Sequence, residues 1–66
     1  MNAAYVVHLY KKNGELDHKE EAETLARAEH IRARWMKKNG IVDFSGAPTI
    51  WKFNYAEAVY ERMEGY

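Results

Sequence analysis

Three histidines (His8, His18 and His30), one serine (Ser45) and the carboxylates from Glu15 to Glu23 are the side chains with the chemistry to bind a metal, attack a substrate or move a proton. None is spaced for that work. The histidines have no metal-ligand spacing, and the chain contains no cysteine to build a thiolate zinc site or a disulfide. Ser45-Gly46 is turn chemistry, not a nucleophile beside a base. The acids Glu20, Glu21 and Glu23 fall on a polar stretch with no apolar pocket to raise a pKa. A glycine-rich phosphate loop is absent. The expectation is a protein that is not an enzyme and holds no metal or cofactor.

Binding chemistry is better represented. Arg27, Arg34, Lys37 and Lys38 recur on one side of a helical segment and offer a basic face to phosphates or to an acidic protein surface. The ordinary reading of the same residues is a solvated helix face, with Lys37 and Lys38 countering the helix macrodipole and Glu23–Arg27 forming an i,i+4 pair. Arg32 falls amid apolar residues and is expected to lay its stem along them and reach an acid. Charge is unevenly placed. Residues 1–26 hold three Lys against five acids, residues 27–40 five cations against Glu29, and residues 41–66 two cations against four acids, giving −2, +4 and −2. Zero net charge disfavours a DNA mimic or a general polyanion binder and leaves one local basic patch.

The elements that position these residues follow from periodicity. Residues 3–11 are β-branched and aromatic and read as a strand, with Tyr5, Val7 and Leu9 on one face and Val6, His8 and Tyr10 on the other. Asn13-Gly14 predicts a two-residue type I′ hairpin turn, returning through a short, polar edge strand from Glu15. Residues 24–39 predict a helix. Leu25, Ala28, Ile31, Trp35 and Met36 lie inside, and Glu23, Arg27, His30, Arg34 and Lys38 outside. Thr24 is the favoured N-cap over an earlier start near residue 18, and Asn39-Gly40 is the stop, with Ile41 placed for the apolar contact. Residues 49–53 form a further strand after Pro48. Asn54 and Glu57 form a capping pair that predicts a short C-terminal helix, with a strand over 58–63 as the competing reading.

The expected fold is therefore one small α+β domain over residues 1–66, ordered β-β-α-β-α, with β-β-α-β-β as the alternative. Nine aromatics (two Trp, five Tyr, two Phe) supply most of its apolar bulk. Trp51 and Phe53 are assigned to the face that meets Leu25, Ile31 and Trp35, together with Tyr5 and Phe44. Trp35 and Trp51 are thus expected to be sealed between helix and sheet. The opposite face would carry Val6, His8, Tyr10, Ile50 and Lys52 as an open surface for a partner or a second copy of the chain.

No stretch approaches the roughly 20 apolar residues of a membrane span, and residues 1–12 lack the basic start of a signal peptide. The expectation is a cytoplasmic protein without membrane association. The order "AAYVVHLY", a turn, "ETLARAEHIRARW" and a late aromatic strand resembles small accessory proteins of phages and mobile elements, including inhibitors of the anti-CRISPR kind. That resemblance implies a stoichiometric inhibitor or modulator that blocks a surface of a host complex. Two other functions compete: a nucleic-acid-binding module stacking bases near Tyr10, Lys12 and Lys52, and a self-associating structural protein, a homodimer hiding Val6, Tyr10 and Ile50.

Overall fold

The computed structural model describes residues 2–43 and 45–66; the expectation for Phe44 lies outside them. Four strands and one helix follow in the order β1 (Tyr5–Tyr10), β2 (Leu16–Ala22), α1 (Leu25–Asn39), β3 (Thr49–Asn54) and β4 (Val59–Arg62). This is the α+β fold in its β-β-α-β-β form. The sheet is ordered β2-β1-β3-β4, and each neighbouring pair is antiparallel. Because β2 and β3 both oppose β1, they run parallel to each other. The helix joins them by crossing over β1, packing on all three strands.

The first hairpin forms, but by a different turn. Gly14 N–H donates to Lys11 O (3.0 Å) and Lys11 N–H to Glu15 O (2.8 Å), which makes a three-residue loop with a bulge. A type I′ turn needs positive φ at both central residues, and here only Gly14 has it, at 90°. The helix starts and stops as its caps dictate. Thr24 Oγ1 accepts from Arg27 N–H (3.1 Å), and Gly40 adopts φ 66° while Ile41 N–H reaches Met36 O (2.9 Å).

The C-terminal segment is a strand, not a helix. Asn54 does cap, its Oδ1 accepting from Ala56 N–H (3.0 Å) and Glu57 N–H (3.1 Å). The capped turn goes no further, because Ala58 takes φ 55° and reverses the chain into β4.

The core between helix and sheet is built from Val7, Leu9, Ala22, Ala28, Ile31 and Ile50, with Tyr5, Leu25, Trp35, Met63 and Tyr66 packed around it. Directly opposed residues share a face, so the pairing Val7↔Ile50 places Ile50 under the helix, and Val6↔Trp51 places Trp51 on the other side. This corrects the expected phase of β3. Ile50 is fully buried in the core, whereas Trp51 and Phe53 lie on the face that the helix leaves uncovered. The buried layer between helix and sheet is filled by aliphatic side chains, with Ala22 and Ala28 among them, and Trp35 packs at its margin. Lys52, opposite Tyr5, shares the helix side but is exposed.

Candidate functional site

The α1–β2 side carries an open groove of about 850 Å³. Its helix wall is Arg27, Arg34, Lys37 and Lys38, the four residues singled out from the sequence, and its floor is Trp35 with the edge of Ile31, the fully buried Leu9 lying beneath. On the β2 wall stand His18 and Glu20, which the sequence did not single out as site residues. None of the four cations is paired with a carboxylate among the described residues, so the expected Glu23–Arg27 pair does not form. Glu20 is the single acid in the lining, against four cations, which leaves the groove at +3 before His18 is counted.

His18 stands beside these cations on the β2 wall. Its ring nitrogens bond Asp17 Oδ1 (2.8 Å) and Glu20 Oε1 (3.2 Å), and those bonds raise its pKa above the ordinary 6.5. The ring also meets the edge of Trp35, with centroids 5.3 Å apart. Trp35 is half-buried and fixed by its Nε1–H, which donates to Tyr10 O (3.1 Å). An apolar floor thus lies beneath exposed cations, suited to a ligand with both apolar and acidic groups.

The open sheet face is different in kind. Val6, His8 and Tyr10 lie there as expected from the sequence; Ile50 and Lys52 do not, and Trp51, Phe53 and Tyr60 take their places. Thr49 Oγ1 accepts from Trp51 Nε1–H (2.9 Å) and shares a 3.0 Å hydrogen bond with Tyr10 Oη. Phe53 is flanked edge-on by Tyr55 and Tyr60, at 4.8 and 5.0 Å between centroids. Tyr60 O–H donates to Ala3 O (2.7 Å). These aromatics form a thin second layer that covers Val6 and Phe53, each 8% exposed, so the apolar patch of Val6, Tyr10 and Ile50 does not exist. Lys19, Glu21 and Arg62 also point to this face, opposite His8, Val6 and Trp51 respectively.

Arg32 belongs to neither surface. Its Nε–H donates to Pro48 O (2.9 Å), and its guanidinium lies over the Tyr66 ring at 5.5 Å. Among the described residues, no cluster of His, Asp or Glu is arranged to hold a metal ion, and no helix is long and apolar enough to cross a membrane. No family model matches the chain, and no curated protein or solved structure matches it.

Proposed function

We propose that this protein is a small non-enzymatic binding module that takes a protein partner in the α1–β2 groove. The observation that carries this reading is the set of four cations, Arg27, Arg34, Lys37 and Lys38, unpaired among the described residues and set around an apolar floor. A purely solvated helix face needs no such floor, and an interface core with a charged rim does. In keeping with the resemblance to small phage and mobile-element proteins, the module acts in the host cytoplasm as an anti-CRISPR-like inhibitor or modulator. It works by covering a surface of a larger complex.

The test is affinity capture from a candidate host lysate with the wild type, with Arg34→Glu/Lys38→Glu, and with Tyr10→Ala. Circular dichroism checks that each variant stays folded. Loss of capture in the charge-reversed protein alone is the expected result. Loss in Tyr10→Ala alone moves the contact to the sheet face.

A nucleic-acid module is the second reading, favoured by Lys19 and Arg62 flanking the His8 and Trp51 rings. It predicts retention on single-stranded nucleic acid that falls steeply with salt. The groove cations lie on the opposite side of the sheet from these aromatics, so one strand cannot stack on the rings and fill the groove together. Self-association predicts a dimer mass at high protein concentration, and it lacks the apolar patch that suggested it.

A further inference from the structure

The hydrogen-bond phase of the sheet shows which backbone groups of β2 are free. Phe53 N–H donates to Ala4 O (2.9 Å), so the even-numbered residues of β1 bond to β3. The odd-numbered ones therefore bond to β2, through Tyr5↔Ala22, Val7↔Glu20 and Leu9↔His18. The residues between, Lys19 and Glu21, direct their N–H and C=O groups away from the sheet. β2 is an edge strand, and those groups look out beside the groove.

We infer that an extended, acidic segment of a partner protein docks here as a fifth strand on β2. This rests on the reading of the groove as a protein-binding site and specifies its occupant. The added strand bonds the outward backbone groups of Lys19 and Glu21, about 4.8 Å from β2. Its helix-side residues, spaced about 6.7 Å apart, project toward α1. Arg34 and Lys38 are one helical turn apart, about 6 Å along the axis, so two alternate acids of the strand face two successive cations. Apolar groups of the same segment settle on Ile31 and Trp35. Charge complementarity selects the occupant: the groove is net cationic, and its one acid is already bonded to His18. An apolar strand is discouraged by the charges along β2, as in other protected edges.

The test uses the whole chain and a capped peptide of about eight residues whose alternate, helix-side positions are Glu, Glu and Leu, with Thr between. Isothermal titration gives affinity, and amide NMR locates the site. Binding is expected, with slowed exchange of the Lys19 and Glu21 amides. Arg34→Glu/Lys38→Glu is expected to weaken it at least tenfold, and so is N-methylation of the peptide nitrogens that face β2. The methylated peptide leaves the protein untouched, so its failure to bind cannot be ascribed to misfolding. Binding that depends on Arg34 and Lys38 but ignores N-methylation overturns the strand geometry. No peptide binding at millimolar concentration overturns the proposal, as does a single-stranded oligonucleotide outcompeting the peptide. If the peptide fails while charge reversal still abolishes lysate capture, the protein-binding reading stands and only the strand is lost. If charge reversal leaves capture intact, the reading itself has failed.

Discussion

The imidazole of His8 stacks on the indole of Trp51, with ring centroids 4.8 Å apart and planes 21° from parallel, on the side of the sheet away from the helix. Burial lowers the His8 pKa below 6.5, and Lys19 opposite lowers it further. The neutral ring is the form the fold favours. Its contribution is present above 6.5 and is lost as pH falls through the lowered pKa. His18 has the reverse sign: its carboxylate bonds raise the pKa, so its contribution is present below 6.5 and is lost as pH rises through the raised value. Proton NMR titration of the imidazole signals is expected to place the His8 midpoint below 6.5 and the His18 midpoint above it. Asp17→Asn with Glu20→Gln is expected to bring His18 back down and leave His8 where it was.

Thr49 is the hub of the uncovered face. Its hydroxyl serves both Trp51 Nε1–H and Tyr10 Oη, and the residue is buried. Thr49→Val keeps the shape and strands both partners, at a cost of roughly 1–3 kcal/mol. Tyr10→Phe removes one partner, at about 0.5–1.5 kcal/mol. Chemical denaturation of the single and double variants is expected to show less than additive losses, since both changes break the same bond.

Ile50 and Lys52 share one face of β3, and the helix covers only the first. Ile50→Ala is expected to cost about 2–5 kcal/mol by opening a cavity beside Val7 and Ala28. Lys52→Ala is expected to stay within about 0.5 kcal/mol of wild type. Urea midpoints of the two variants at unchanged m-value measure the contrast directly.

Ala58 is the one non-glycine residue with positive φ among those described, at 55°. The left-handed conformation costs a residue with a Cβ about 1–2 kcal/mol. Ala58→Gly removes that cost and returns about 0.4–1 kcal/mol of it through the freer unfolded chain. A net gain of about 0.5–1 kcal/mol is the expected outcome, read as a raised melting temperature.

Much of the fold was legible because local chemistry decided it. Thr24, Gly40 and Ile41 fix the ends of α1 whatever surrounds them, and the apolar spacing from Leu25 to Trp35 fixes its inner face. The basic stripe could be read the same way, since Arg27, Arg34, Lys37 and Lys38 follow once the inner face is known. The phase of β3 is a tertiary matter. A strand offers two faces, and one step of register exchanges them. Large rings suggested that Trp51 and Phe53 faced the core, but the layer under the helix is filled by aliphatic side chains, Ile50 among them. At the C-terminus the Asn54 cap was a true signal, yet a cap fixes only one turn. Residues 59–62 extend because β3 offers them an edge. His18 carries no metal-ligand spacing in the sequence, and its place in the groove is not legible there, because its carboxylate partners and Trp35 converge on it only once the hairpin and helix are assembled.

β1 is an inner strand, held on one flank by its immediate successor β2 and on the other by residues 49–54. A chain cut after Gly40 retains the residues of β1, β2 and α1, but has nothing to pair the other flank of β1. Residues 49–54 are therefore what closes that flank, and a chain lacking them would present backbone groups that the sheet otherwise pairs.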